Sequence, residues 1–464
     1  MHEVAGRAEP GLRPGRALAQ AASRLHGTAW IPVDAAAVFG CVLAAHALSP
    51  VYLASPLGGE ALTVAAVHAA SFVLAGLAAG LYDWTLLSLS RWTETAARAA
   101  AAALLSGLVT LTAFYLVLYQ PIGRRVLGLS AVLSALVVAS LRYGLFRVLP
   151  PRRVLFARDT ALGREIRARL AAEYPAAYET LLPGAPGAAG RPAGAEPSLP
   201  DLVERCRAER ADEVVLPAEP APAEPAAAIG CLPLGCRVRT EPAFYEDVFR
   251  AVPVLHVSPA WMLASGHDAA DHLAEAIRRA LDVALSLLLL GVAAVPCLLA
   301  MALVWIEDRG PVLFGQVREG RWGRPFRMWK IRSMRPGAER DGARWTDEGD
   351  PRRTRVGRLL RRLRLDEVPQ LVNVLRGEMS FVGPRPERPE IAAELERAVP
   401  LYAWRRLARP GLTGWAQVHL PYGASVEDSR RKLEMDLYYL RHRSLAMDLG
   451  IVLRTLTAVT RGSR

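Results

Sequence analysis

Two adjacent carboxylates, Asp366 and Glu367, sit directly behind a run of arginines in Arg361-Arg362-Leu363-Arg364-Leu365-Asp366-Glu367-Val368-Pro369-Gln370. Residue type limits the chemistry. A carboxylate near guanidinium groups and a helix start stays ionised, as a nucleophile or a metal ligand must. Paired acids can also hold Mg²⁺ while substrate phosphates complete its shell. Helix capping accounts for the same residues: Asp366 suits an N-cap, Pro369 a first turn and Gly377 a stop. The two readings are compatible, and both stand at this point. Seven arginines fall between positions 352 and 364 with no acid among them. Most fit a helix surface facing solvent or lipid headgroups, and one or two suit a diphosphate clamp. Nucleic acid is a weak alternative, since no aromatic platform or DNA-binding motif accompanies the charge.

The elements that position these residues follow from composition. The chain has 464 residues, enough for two or three domains. Hydrophobic residues make up 52% beside 22% charged ones, so apolar segments are concentrated in spans. The net charge of +12 fits an anionic membrane face or phosphorylated substrates. Only Lys330 and Lys432 are lysines. A lysine kept in so arginine-rich a chain is a mild pointer to a role for a compact point charge. The five cysteines form no CxxC and read as free thiols, with neither zinc nor a disulfide framework.

Residues 1–27 are expected to be a disordered cytoplasmic tail without a cleavable signal. The segment 28–150 holds four apolar spans, at about 30–53, 61–81, 96–119 and 126–149, each near the ~20 residues a bilayer crossing needs. They lack the polar face of helices in a soluble bundle. Trp30, Tyr82, Trp84, Trp92 and Tyr119 sit near span ends, as interfacial aromatics do. Arginines before the first span, in the second loop and after the fourth place the N-terminus and the exit of the fourth span in the cytoplasm. Arg124 and Arg125 in the third loop run against that scheme. Residues 151–256 read as a small α/β domain, with strands at 153–157 and 212–216 and a helix from Gly163 to Glu173. No GxGxxG follows the first strand, so no dinucleotide is expected.

After a linker at 257–280, the apolar run 281–306 is broken by Pro296 and flanked by arginines on both sides. Both ends are therefore expected on the cytoplasmic side, with the helix bent at Pro296 as a re-entrant element. An ordinary crossing is the plainer alternative. The remainder, 307–464, is short and basic. Residues 311–326 read as a hairpin turning at Gly320 and Gly323. Val356, Leu359, Leu360 and Leu363 make one helical face. Ser444 to Val459 is amphipathic and, with Trp404 and Trp415, fits either the membrane interface or the core.

Five motifs occur in order. They are Pro311-Val312-Leu313-Phe314 with Gln316-Val317-Arg318, Phe326 to Met334, Leu365 to Leu371, Ser380 to Pro386, and Arg409 to Val418. This series, over roughly 275–464, resembles the bacterial sugar transferase family, the monotopic polyprenyl-phosphate phosphoglycosyl transferases. The longer architecture resembles the large exopolysaccharide-initiating subgroup with four N-terminal membrane spans. Pro421 to Ser425 and Ser258 to Trp261 further resemble members found with exosortase-type systems.

The resemblance implies a bacterial inner-membrane protein. Its parts would be a four-helix transmembrane bundle, a degenerate Rossmann-like α/β domain, a re-entrant membrane helix and a small α+β catalytic domain facing the cytoplasm. It implies transfer of sugar 1-phosphate from a UDP-sugar to undecaprenyl phosphate. UMP leaves through a covalent intermediate on Asp366, and Glu367 and Mg²⁺ assist. By the family pattern Lys330 and Arg361 contact substrate phosphates and Arg385 lies on the nucleotide-sugar side, with Arg332 and Gln417 as further candidates for phosphate binding. The expected partners are the UDP-sugar, undecaprenyl phosphate and the lipid bilayer, without nucleic acid, and a homo-oligomer is left open. Family members often carry Ser before the kinking proline, whereas Val295 precedes Pro296 here. Ser can satisfy a freed backbone carbonyl and Val cannot. A membrane scaffold that binds nucleotide-sugars without turnover is the competing function.

Overall fold

The computed structural model describes residues 30–48, 59–78, 81, 92–114, 124–148, 151–182, 199–264, 272–337, 352–420, 423 and 425–460. The N-terminal tail, Tyr82, Trp84, Tyr119 and most of the Pro421 to Ser425 motif lie outside them. The chain divides into two compact units between Phe244 and Tyr245.

Among its described residues, the first unit opens with four helices, α1 (Ile31–Ala47), α2 (Gly59–Ala78), α3 (Trp92–Thr112) and α4 (Arg124–Val148). Alanine and leucine dominate them and favour the helix. Small side chains at Ala69, Ala75, Ala99, Ala102 and Ala103 let the backbones approach around Phe72 and Val138. Large apolar side chains such as Leu74, Leu104 and Leu108 point outward. Polar groups lie inside. His68 Nδ1 is 3.1 Å from Thr110 Oγ1, Ser71 Oγ is 2.9 Å from Ser106 Oγ, and Arg142 pairs with Asp34 at 2.6 Å. Among the described residues, Arg125–Gly144 and Leu273–Asp308 are long and apolar enough to cross a bilayer. The apolar segments Ile31–Ala47, Ala61–Leu77 and Arg98–Thr112 are shorter.

A small α/β domain follows, made of β1 (Arg152–Phe156), α5 (Ala161–Glu173), β2 (Tyr178–Leu181), α6 (Leu199–Ala208), β3 (Glu213–Leu216), α7 (Ala223–Ile229) and β4 (Arg237–Thr240). The four strands are parallel in the order β2-β1-β3-β4. β3 is buried along its length, as a parallel strand covered on both faces is. At the turn after β1, the Thr160 hydroxyl accepts from Gly163 N–H at 2.8 Å and donates to the Glu241 carboxylate. A carboxylate thus occupies the helix start where a dinucleotide fingerprint would place phosphate.

The unit boundary lies within α8 (Glu241–Phe249), earlier than the expected 256. The reason is packing: Val252 N–H bonds to Glu434 O at 2.9 Å, and Val252 and Val254 enter the core of the second unit. The expected linker is also largely helical. It contains α9 (Pro259–Ala264) and the start of α10 (His272–Asp308). The second unit continues with a hairpin of β5 (Leu313–Glu319) and β6 (Pro325–Ile331), turning at Gly320 to Arg324 as its glycines foretell. Next come α11 (Arg355–Arg362), α12 (Gln370–Arg376), β7 (Ser380–Val382), α13 (Pro389–Ala398), β8 (Gly411–Thr413), α14 (Trp415–His419), α15 (Val426–His442) and α16 (Leu445–Thr460). Leu433, Leu437, Tyr438 and Tyr439 of α15 form the core with Val382, Leu395 and Tyr402. Trp415 and Ile451 are buried in it, which settles those two residues as core packing. Of the expected apolar face of α11, Leu360 is buried and Val356 packs beside it, while Leu359 and its neighbour Leu363 are exposed, so the face is only partly used for packing.

Candidate active site

Helix α10 frames the site from both of its ends. It has 37 residues, about 55 Å of helix if straight. Near its start, Arg279 donates to the carbonyls of Val374 (2.5 Å) and Leu375 (2.6 Å) at the end of α12. Asp282 accepts from Phe381 N–H at 2.9 Å on β7. Near its finish, Glu307 accepts from the N–H groups of Arg355 (2.8 Å) and Val356 (3.2 Å) at the start of α11. Ala300 and Val304 pack on Ile331 and Leu360. Both ends therefore dock on the same unit. Between them Leu288, Val292, Val295, Leu298 and Leu299 are exposed, around Pro296 within the helix.

The carboxylate pair sits between two short helices. Thr354 caps α11 by accepting from Gly357 N–H at 2.9 Å. Gly357 lies so close to Ser333 that a Cβ there would come within 2.0 Å of Ser333 O. After α11 the chain reverses through Arg364, a non-glycine residue in the left-handed region at φ 56°. A 3-10 turn, Leu365–Glu367, follows before α12. Asp366 is therefore not the N-cap of α12. Pro369 stands there without a side-chain cap bond, and Gly377 ends the helix at φ 81° as expected. The capping explanation of Asp366 falls away.

The two acids have different surroundings. Glu367 Oε1 meets Lys330 Nζ at 3.3 Å and Arg385 Nη2 at 3.4 Å, and Oε2 meets Arg364 Nη1 at 3.5 Å. Burial would raise its carboxyl, but Lys330, Arg385 and Arg364 together hold it well below the usual range. Asp366 is 5% exposed. Burial, and then the charge of Glu367, push its carboxyl up against the pull of Lys330, Arg361 and Arg364. Burial likewise lowers the Lys330 ammonium, opposed chiefly by Glu367. Neighbouring acids with separated affinities for the proton are the pattern of a pair with divided roles.

Of the sequence-derived candidates, Lys330, Asp366, Glu367 and Arg385 come together. Arg361 acts on Asp366 by charge and donates Nε–H to Ser333 Oγ at 2.9 Å. Arg332 is buried and paired with Asp308 at the end of α10, and Gly310 passes against its guanidinium. Gln417 on α14 donates to Leu412 O at 3.2 Å behind the β7–β8 pair. Arg332 is thus tied to the end of α10 and Gln417 to β8. Arg364 was not singled out from sequence, because only its backbone conformation turns it back onto Glu367.

For a metal, the described residues hold no group of three or more His, Cys, Asp or Glu that could bind one. The available donors are the two carboxylates, Glu367 already shared with cations. Hard oxygens in that number fit Mg²⁺ held jointly with substrate phosphates rather than by a protein cage.

Residues 273–462 match the family model described as bacterial sugar transferase. The UDP-N-acetylgalactosamine-undecaprenyl-phosphate N-acetylgalactosaminephosphotransferase of Aeromonas hydrophila is 39% identical over 225 residues, 46% of this chain and 53% of that protein. The chain thus spans about half the length of that relative. The UDP-glucose:undecaprenyl-phosphate glucose-1-phosphate transferase of Caulobacter vibrioides is 44% identical over 184 residues, 39% of this chain and 69% of the relative. The exopolysaccharide production protein PSS of Rhizobium leguminosarum bv. phaseoli is 39% identical over 193 residues, 40% of this chain and 96% of that protein.

Proposed function

The chain belongs to the bacterial sugar transferase family, and from that premise we propose that it moves a sugar 1-phosphate from a UDP-sugar to a polyprenyl phosphate such as undecaprenyl phosphate. This would be the first membrane step of exopolysaccharide assembly. The observation that carries the reading is the division between the acids: Glu367 takes the three ion pairs, while Asp366 is held by burial and charge alone.

Asp366 attacks the phosphorus that bears the sugar. A carboxylate O–P bond forms as the P–O bond to UMP breaks, and the leaving oxygen carries its electron pair away. In the second step an oxygen of the polyprenyl phosphate attacks the same phosphorus and the Asp366 carboxylate departs. Two easier displacements replace one difficult one. Lys330, Arg361 and Arg385 orient the diphosphate and offset its charge. Glu367 keeps Lys330 and Arg385 in place between turnovers. Mg²⁺ bound by Asp366, Glu367 and the diphosphate would supply further neutralisation of the leaving UMP.

Two features support the membrane topology we propose. Docking of both α10 ends on one unit, with an exposed apolar stretch around Pro296 between them, fits a helix that enters the bilayer and returns. The apolar exterior of α1–α4, with His68, Ser71, Ser106, Thr110 and the Asp34–Arg142 pair buried among apolar side chains, fits four membrane helices. The flanking arginines support a catalytic side facing the cytoplasm of a bacterial inner membrane. The α/β domain is read as a Rossmann-like module whose first helix start is closed to nucleotide by Glu241.

The test uses full-length protein in lipid nanodiscs with Mg²⁺, undecaprenyl phosphate and a panel of UDP-sugars, the classes for which the relatives are named. UMP release is measured with mass spectrometry of the trapped protein. A phospho-sugar adduct on Asp366 supports the reading. UMP release without an adduct at Asp366 refutes the nucleophile, and no UMP with any sugar refutes the activity.

A further inference from the structure

The loop that carries Arg385 is held through four consecutive carbonyls. Pro384 O accepts from Gly411 N–H at 2.9 Å and Arg385 O from Arg405 Nη2 at 2.9 Å. Pro386 O accepts from Arg318 Nη1 at 3.2 Å and Glu387 O from Glu319 N–H at 2.9 Å. Pro384 and Pro386 bring no N–H to the loop and fix their own φ. The course of the loop is thus set by what its carbonyls accept.

Three of these donors belong to β5 or β8. The fourth, Arg405, comes from the 3-10 turn Tyr402–Leu407 and is itself fixed from behind. Its Nη2 also donates to Asp436 Oδ2 on α15 at 3.0 Å, and its Nη1 to Tyr402 Oη at 2.5 Å. The Arg405 and Asp436 side chains are 11% and 4% exposed. A charge pair this buried is a poor way to gain stability, because desolvation offsets the attraction. It does define one geometry. Besides a 4.0 Å ion pair with Glu387, Arg405 donates to the carbonyl of the residue whose side chain meets Glu367.

We propose that Arg405, oriented by Asp436, is a positioning residue for Arg385. It fixes the main chain at Arg385, so that the guanidinium is delivered to Glu367 and to the diphosphate beside it. The inference rests on the transferase reading in one respect: Arg385 is taken to bind the nucleotide diphosphate. Lysine at 405 keeps the charge but, as a point donor, cannot hold the planar fork that joins Asp436, Tyr402 and Arg385 O.

The test is a double-mutant cycle in full-length protein in nanodiscs. Arg405→Lys is made in the native chain and in an Arg385→Ala background, and Asp436→Asn is made likewise as a second, isosteric probe. UMP release gives kcat/KM, calorimetric titration with UDP gives a readout free of turnover, and thermal midpoints report folding. With Arg385 present, Arg405→Lys and Asp436→Asn each lower kcat/KM about 10-fold and weaken UDP binding. With Arg385 removed, the same changes cost less than about twofold. Equal losses in both backgrounds overturn the proposal, as does native kcat/KM in Arg405→Lys. If the native chain binds UDP but releases no UMP, the transferase reading fails and the UDP-binding cycle still decides the clamp. If it neither binds nor turns over, both fall.

Discussion

Replacing Lys330 with Met removes one charge from the site and keeps most of the side-chain volume. The lost pair is Lys330 Nζ to Glu367 Oε1 at 3.3 Å. Coulomb attraction at that distance is about 5 kcal/mol at an effective dielectric constant of ~20. The net loss of stability is smaller. The two side chains keep 23% and 20% exposure, and Arg385 (3.4 Å) and Arg364 (3.5 Å) still serve Glu367. A net cost of about 1–2 kcal/mol is expected, between exposed and fully buried pairs. Turnover should suffer more. A preorganised donor aimed at developing charge contributes about 10²–10³-fold. Lys330→Met should therefore lower kcat/KM by about 10²–10³-fold, beyond anything its modest stability change explains. UMP release in nanodiscs against UDP-sugar concentration, alongside thermal unfolding of the same samples, separates the two effects. Activity within about threefold of the native protein would show that Lys330 serves only to hold Glu367.

Asp366→Asn should abolish the phospho-sugar adduct and cut UMP release at least about 10³-fold. The same change should raise the thermal midpoint at neutral pH. Burial, then Glu367, raise the Asp366 carboxyl, so folding is penalised as pH rises past the unfolded carboxyl's pKa, and fully above the folded one. The gain should shrink as pH falls through the carboxylate range, where the native group is protonated too. A lower midpoint at pH 7 would contradict this account of Asp366. Chelation by EDTA should stop UMP release and added Mg²⁺ should restore it, while the thermal midpoint of the substrate-free protein stays nearly constant, because the described residues form no closed protein cage to lose. A reporter enzyme fused after the last residue should report cytoplasm; a periplasmic signal would mean that α10 crosses the membrane.

Local pattern carried much of the architecture. The β5–β6 hairpin, the stop of α12 at Gly377, the α/β domain and the apolar runs each depend on neighbours within a few residues. So does the ordered motif series, which pointed to the family. The paired acids also stood out, because adjacent charges beside an arginine run are visible in one dimension.

Which acid differs from the other was a matter of three dimensions. Lys330 and Arg385 lie 37 and 18 positions from Glu367 and reach it only when β6 and the loop after β7 close around the 3-10 turn. The left-handed backbone at Arg364, which displaces Asp366 from the capping position, has no signature in residue type. The buried polar contacts of α1–α4 were hidden for the same reason, since a lone His, Ser or Thr in an apolar run shows its partner only after the helices pack. The motifs also pointed to Arg332 and Gln417, and only folding shows that they meet Asp308 and Leu412. Arg405, in turn, gains its significance from contacts with Asp436 and the Arg385 carbonyl. Residue identity thus set which groups were able to hold charge, donate or attack. Long-range closure decided which of them meet, because an ion pair or a shift in proton affinity depends on distance and burial, and neither is a property of the chain read in order.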